Sequence, residues 1–377
     1  MWEGVEMFIY EYSEVNEKFQ NYIIENEQLH KYFSFDWGTL KTRQYCGILN
    51  IDGEDVYLLP KISNKEEKTN LDIFIYMLIY AYDIKLKNED LANCKNENNT
   101  ILEVFIQLFA QQLFHQLQMG IYKEYITQQD NLSTLRGKYL VNENLKYNFT
   151  NAKIYCEYDE FSMNNELNQL FLYAIKTLQL FAKDTRLLKQ CELVLDEVEY
   201  RSFDIENLQI HFHRLNYRYK ESFEFALLLL QKSIPLFAKD KKSFAFLFDM
   251  NILFEKFVGR MIKECDPNTE LQNEKACNDL VLRPDIVTDR LLIDTKYKKL
   301  RAKEDIKQSD KLQMYAYGKN FQNRDTMLLY PKHLEPFDYR LQLGDVRLFV
   351  KSLELDVECF SYEEYVQEMR KQVEGIV

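Results

Sequence analysis

The 377 residues carry 48 Lys and Arg against 60 Asp and Glu, a formal net charge of -12, and 46% of them are hydrophobic and 14% aromatic; this excludes a disordered chain and admits two or three domains with a sizeable core. The acid excess argues against a protein that coats nucleic acid over its whole surface, while leaving a local basic groove open. Only 10 Gly and 6 Pro predict few long loops and much helix, and seven scattered Cys with no CxxC pair read as ordinary buried thiols in a reducing compartment, supporting neither a zinc cluster nor a disulfide framework.

The opening MWEGVEMFIYEYSE has no basic n-region and carries acids throughout, so no signal peptide is expected. The most apolar run, Leu71–Tyr82, is shorter than the ~20 residues needed to span a bilayer and holds Asp72, so a cytoplasmic protein without a membrane span is expected. Gln44–Ile51 and Val56–Leu59 flank Asp52-Gly53 and predict a hairpin closed by Pro60. Ser63–Asn70 reads as a polar connector whose Asn70 caps a helix starting at Leu71. Lys85–Thr100 reads as an exposed loop. Ile101–Ile126 has helical periodicity through Leu102, Phe105, Phe109, Leu113, Leu117 and Ile121. His115 within it is read as packed or surface-exposed. Leu132–Phe149 reads as extended pieces around a turn at Arg136-Gly137-Lys138. The acidic stretch Glu157–Asn165 is explained by loop solvation and helix-start chemistry as well as by a metal site. Leu167–Lys189 and Phe223–Phe237 read as helices. His211 and His213 between them lack a nearby Cys or carboxylate to complete a metal set.

Phe246–Glu264 reads as one apolar helix with Phe248, Ile252, Glu255, Gly259 and Ile262 on a stripe. A carboxylate on an apolar face costs several kcal/mol unless it is paired or metal-bound. Glu255 is therefore either a metal-site acid or the partner of a Lys or Arg. Tyr297–Lys311 carries Lys298, Lys299, Arg301, Lys303, Lys307 and Lys311, a basic excess that either meets phosphates or lines a solvated face. The helix Asp310–Tyr317, capped by Gly318, sets Gln313 and Tyr317 four apart on one face. Gln313 either serves the site or closes a capping box with Asp310. Met327–Tyr330 and Val346–Leu355 read as strands and Tyr362–Val373 as a helix, giving a mixed α/β (α+β) domain.

The chemistry concentrates in Leu280–Lys296, LVLRPDIVTDRLLIDTK. Two apolar runs around Thr288-Asp289-Arg290 predict a hairpin that brings Asp285 alongside Asp294, with Lys296 on the same face as Asp294. Two carboxylates and a lysine so placed suit metal-assisted phosphodiester hydrolysis. Asp285, Asp294 and the Thr295 carbonyl would hold a hard cation such as Mg²⁺, and Lys296 would orient water or neutralise charge on the phosphorane. The bland alternative is a hairpin ending in a surface salt bridge. Nothing matches GxxxxGK[ST], so nucleotide hydrolysis is expected to come from another chain.

FLFDMNILFEKFV, LRPDIV, LLIDTKYK and DKLQMYAYG follow in this order. Together they resemble the PD-(D/E)xK nuclease domain of the McrC family, the nuclease subunits of McrBC-type restriction systems. The stretches Leu58–Ser63, Gly120–Tyr122, Leu135–Gly137 and Cys156–Phe161 extend the resemblance over nearly the whole chain. It implies a small β-rich N-terminal domain (1–63), a mainly helical partner-engaging region (64–245) with a β-hairpin insert near 132–150, and a PD-(D/E)xK endonuclease-like domain (246–377). It implies a Mg²⁺-dependent endonuclease acting on double-stranded DNA together with a McrB-like AAA+ GTPase ring, a hexamer whose GTP hydrolysis it stimulates. Residue by residue, the nuclease motif carries onto Asp285, Asp294 and Lys296, the helix acid onto Glu255 as a further metal ligand, and the Gln–Tyr element onto Gln313 and Tyr317. Arg136 is a candidate for contacting the partner ring. Cutting both strands would favour pairing of two nuclease domains. The competing readings are a non-cutting adaptor that activates an AAA+ ring, and a nuclease of the same fold directed at RNA or single strands.

Overall fold

The computed structural model describes residues 7–36, 38–51, 54–63, 66–85, 100–238, 241–277, 279–321, 325–333, 336–359 and 361–376. The chain forms two compact units, Met1–Asn96 with Pro235–Val377, and Glu97–Ile234. This partition differs from boundaries at 63 and 245, because the first unit is assembled from both ends of the chain.

The first unit opens with β1 (Met7–Tyr10), α1 (Glu17–Glu25), the pair β2 (Phe33–Asp36) and β3 (Thr39–Thr42), then β4 (Tyr45–Ile51), β5 (Glu54–Leu59) and α2 (Glu67–Ala81). β4 and β5 pair antiparallel with Ile51 opposite Glu54, as a hairpin requires; Asp52 and Gly53 lie outside the described residues. α2 starts four residues before the expected Leu71, and Asn70 lies inside it. Its side chain instead accepts from the Ile62 and Ser63 amides at 3.2 and 2.9 Å, tying down the preceding loop.

The second unit holds α3 (Ile101–Gln118), β6 (Glu124–Leu132), β7 (Lys138–Tyr139), α4 (Val141–Tyr147), β8 (Ile154–Ser162), α5 (Glu166–Leu178), α6 (Arg186–Val194) and α7 (Lys220–Lys232). α3 ends at Gln118; of the residues expected to prolong it to Ile126, Met119–Lys123 form a turn and loop and Glu124–Ile126 enter β6. The long helix expected over Leu167–Lys189 is broken, because buried Glu103 accepts from the Lys183 and Asp184 amides at 2.7 and 3.1 Å and holds that segment as a loop. β6, β8 and β7 form a three-stranded sheet in that order. The turn at Arg136–Lys138 is present, with Gly137 at φ +68 and its missing Cβ facing the Glu157 carbonyl. α4 is a short helix where extended chain was expected. Glu157–Ser162 belongs to β8, and Asn165 caps α5 by accepting from the Asn168 amide.

The chain returns to the first unit through β9 (Ser233–Ala238) and β10 (Lys241–Asp249). β10 lies antiparallel to β4, with Phe246 opposite Ile48, which completes a five-stranded sheet in the order β1-β5-β4-β10-β9. Residues 246–249 are therefore strand, not the first turn of a helix. The run Phe244–Phe248 is buried on both faces, and such a run has no period that separates strand from helix. Asp249 ends it by capping α8 (Met250–Cys265), accepting from the Asn251 amide at 2.9 Å.

β11 (Glu270–Leu271), β12 (Lys275–Cys277), β13 (Leu280–Leu282), β14 (Ile286–Val287) and β15 (Leu291–Thr295) follow, then α9 (Gln308–Asn320), β16 (Asp325–Pro331), β17 (Asp338–Leu343), β18 (Val346–Leu353) and α10 (Tyr362–Glu374). Six of these strands form a mixed sheet in the order β11-β14-β15-β16-β18-β17, with β15, β16 and β18 parallel. Every residue of β15 is buried, as expected of a strand covered on both faces. Val287, Leu292, Leu328, Leu348 and Val350 pack beneath Met314 and Tyr317 of α9. Gly318 lies within α9 rather than capping it. A Cβ there would sit 2.5 and 2.8 Å from the Val346 methyls, so glycine allows the helix to approach the sheet.

Of the described thiols, Cys46, Cys156 and Cys191 are buried, whereas Cys265 is exposed, against the expectation that all are core residues; Cys94 lies outside the described residues. Among the described residues no helix is long and apolar enough to cross a membrane.

Candidate active site

The site is built by the hairpin β14–β15. Ile286 faces Ile293 and Val287 faces Leu292, so the register continued by one residue sets Asp285 opposite Asp294. Side chains alternate along a strand, which puts Asp294 on the same face as Leu292, beneath α9. Asp294 is only 2% exposed. Its Oδ1 accepts from Gln313 Nε2 at 3.2 Å, and its Oδ2 forms an ion pair with Lys296. Lys296, two residues on and on the same face, also donates to Gln313 Oε1 at 3.2 Å. Gln313 donates to the Tyr317 hydroxyl at 2.8 Å, which donates to the Arg283 carbonyl at 2.9 Å just ahead of the Pro284-Asp285 pair. The i, i+4 pair on α9 thus spans the hairpin and fixes both of its strands. Asp310, in the first turn of α9, pairs with Lys298 at 3.3 Å, so Gln313 faces the site and makes no capping box with it.

Asp285 Oδ2 accepts from the Thr295 amide at 2.7 Å and from the Thr295 hydroxyl at 2.8 Å, which locks the two acid-bearing strands together. Its Oδ1 accepts from Gln272 Nε2 at 3.3 Å. The same Gln272 amide donates to Glu255 Oε1, so one side chain links the helix acid to the hairpin acid. Of the two readings left open for Glu255, an ion pair with a Lys or Arg is not made among the described residues. The stripe on which it was placed is only partly buried, since Ile252 is exposed.

The electrostatics show how closely the acids crowd. Glu255 is pushed up to about 7, first by burial and then by the charge of Asp285. Asp294 is also raised, by burial and by Asp285, against the opposing pull of Lys296. The Tyr317 hydroxyl is pushed up to about 12 by burial, which keeps it a donor. A cluster of carboxylates held above their usual range favours a cation. The donors are all oxygen, which suits a hard ion. Among the described residues no three acids, His or Cys close a metal cage by themselves.

Sequence reasoning missed Gln272. It follows β11 with a left-handed backbone, φ +53, and its amide accepts no part in any periodic pattern: it donates to the Asp285 carbonyl at 2.9 Å. A lone Gln in a loop gives no signal of this. The two histidines set aside as ligands do not form a pair: His213 Nε2 lies 3.1 Å from the Tyr122 hydroxyl and its Nδ1 accepts from the Leu215 amide. In the second unit, Arg136 is about half exposed, with its guanidinium 4.0 Å from the Tyr158 ring and 3.7 Å from Glu160.

No curated protein matches this sequence. Among solved structures, the fold is similar to a chain of the refined half-complex from the tetradecameric assembly of Thermococcus gammatolerans McrB AAA+ hexamers with bound McrC. The TM-score is 0.62 at 22% identity, over 99% of this chain and all of that one. A chain of the Thermococcus gammatolerans McrBC complex is similar over 68% of this chain and 87% of its own, with TM-score 0.50 and 24% identity. The family model of the McrBC 5-methylcytosine restriction system component matches residues 40–331, well over half of the sequence, and the chain belongs to that family.

Proposed function

We propose that this chain is the DNA-cutting subunit of a McrBC-type restriction system, a Mg²⁺-dependent endonuclease of the PD-(D/E)xK type that works on an AAA+ GTPase ring. The observation that carries the reading is the convergence of Asp285, Asp294 and Lys296 at the end of one hairpin, braced by Gln313 and Tyr317. Asp285 and Asp294 would hold the ion, with Glu255 close enough to join through the position that Gln272 bridges. When bound, Mg²⁺ supplies Lewis acidity toward a phosphate oxygen. Lys296 presents its ammonium on the same face and neutralises charge that develops on the phosphate, while Gln313 holds that ammonium in place. The partner reading rests on family membership and on the related assembly, in which McrC is bound to McrB AAA+ hexamers. Arg136, on an exposed turn of the second unit, is the proposed ring contact.

The test is duplex DNA cleavage by the complex reconstituted with its GTPase partner. Asp294→Ala and Lys296→Ala should each lower cleavage by at least about 10²–10³-fold, the usual cost of losing a charge-stabilising group, while stimulation of the partner's GTP hydrolysis persists. Cleavage at the parent rate by either variant would refute the reading. The adaptor alternative makes the opposite demand: ring activation with no metal-dependent cutting by the parent protein. Point variants separate the two better than truncation before Ser243, which would remove β10 from the sheet containing β4.

A further inference from the structure

A second cluster of charge lies at the C-terminal ends of the strands, apart from the carboxylates. The Lys296 amide donates to the Leu329 carbonyl, so the loops after β15 and β16 leave the sheet side by side. They carry Lys298 and Lys299, and Lys332 and His333, and with Lys61 from the end of β5 these line one small pocket. The junction is fixed at its floor by Glu11, which is 3% exposed. Glu11 Oε1 accepts from the Lys61 amide at 2.8 Å and from the Tyr297 hydroxyl at 2.9 Å. Its Oε2 has no hydrogen-bond partner among the described residues, and burial raises its carboxyl against the pull of Lys61 and Lys299.

The walls are basic and incompletely neutralised. Lys298 pairs with Asp310 and Lys332 with Glu354, whereas among the described residues Lys61, Lys299 and Arg301 make no ion pair, and the acid that Lys61 and Lys299 attract is the buried Glu11. All three act on His333, which burial and these neighbouring cations hold below its usual range. Like charges gathered around one pocket repel, and an anion between them relieves that repulsion. Carboxyl ends of parallel strands are where α/β sheets take their ligands. Lys299 follows Lys296 by three residues, so their backbones are at most roughly 10 Å apart. Phosphates on one DNA strand advance about 3.4 Å along the axis per nucleotide.

We propose that Lys61, Lys299 and His333 form a second phosphate site, which grips the DNA backbone within about three nucleotides of the phosphate presented to Asp285, Asp294 and Lys296. The identity of the anion as a DNA phosphate rests on the nuclease reading; the presence of an oxyanion site does not. A site of this kind positions the strand and gives no sequence discrimination.

The experiment measures binding of a fluorescent duplex oligonucleotide to the full chain in EDTA, by anisotropy, across a salt series. No cleavage is needed, so its outcome is independent of the Asp294 and Lys296 test. The Lys61→Ala/Lys299→Ala double variant should bind at least about tenfold more weakly and lose about two from the slope of log K against log salt. Lys61→Arg/Lys299→Arg should restore both. Inorganic phosphate should raise the melting temperature of the parent and not of the double variant. Parent protein that does not bind duplex at low salt, or a double variant with parental affinity and slope, would overturn the proposal. Protection by inorganic phosphate without any change in duplex binding would also overturn it, because the site would then take a free anion and not a strand.

Discussion

The carboxylate site of the first unit and the β6–β8 sheet of the second are opposite solutions to surface exposure. In the site, polar groups are held in apolar surroundings: Asp294 sits in a strand whose five residues are all buried. In the sheet, apolar groups are held in water: Tyr125 is 73% exposed, its ring 5.1 Å from that of exposed Phe161, and Phe149 near the same sheet is 86% exposed. A buried charge must find its partners within the molecule, and Asp294 finds Lys296 and Gln313. A cluster of exposed rings finds its partner in another molecule. In the proposed function that partner is the AAA+ ring, and the exposed rings of the second unit lie in the same sheet that borders the proposed ring contact at Arg136.

The sharpest way to break this contrast is to neutralise the helix acid. Glu255→Gln should lower cleavage by the reconstituted complex about 10–100-fold, the range for groups that tune a metal site. It should also alter how the metal-free protein responds to pH. Glu255 ionises near 7 in the fold but near 4.5 in the unfolded chain, so the unfolded chain gives up its proton first. The stability that Glu255 contributes is full below about 4.5 and is lost as pH rises through about 7. Melting curves in EDTA from pH 4.5 to 8 should fall less steeply for the glutamine variant than for the parent. Identical profiles would remove Glu255 from the acid cluster.

A smaller effect tests how tightly α9 is held against the sheet. Gly318→Ala sets a methyl against Val346 and should cost about 1–3 kcal/mol, the usual penalty for overpacking. Pairing it with Val346→Ala should recover much of the loss in a denaturant titration. If Gly318→Ala alone is neutral, α9 has room to shift, and the Gln313 and Tyr317 bracing is looser than the hydrogen bonds imply.

The parts of the site that were legible in the sequence are those set by local geometry. A two-strand hairpin fixes its own register, so Asp285, Asp294 and Lys296 could be brought together from a count of residues. Helical spacing put Gln313 and Tyr317 on one face, and the family resemblance assigned that face to the site. What was not legible depends on distant chain. β10 reads like the start of a helix until β4, some two hundred residues earlier, supplies its hydrogen-bond partners. The same pairing makes the first unit discontinuous, which no linker composition announces. Gln272 is functionally placed by one left-handed residue, and Gly318 is a packing glycine that looks like a cap. The basic run after Lys296 was visible, but Lys61 joins it through Glu11, which accepts from both the Lys61 amide and Tyr297, and His333 joins it because β16 runs parallel beside β15.

The smallest stability effect is expected where the contrast predicts the clearest functional one. Tyr125→Ser and Phe161→Ser remove rings that already face water, so each should change unfolding free energy by no more than about 0.5 kcal/mol, as for surface substitutions in general. Rings on a docking face, in contrast, carry much of an interface's binding energy. Either change should therefore weaken binding to the GTPase partner at least about tenfold, measured by titrating stimulated GTP hydrolysis, with cleavage falling in step once the partner is limiting. A variant with parental stimulation and an unfolding free energy several kcal/mol lower would invert the argument, because it would show that these rings hold the second unit together and that its docking face lies elsewhere.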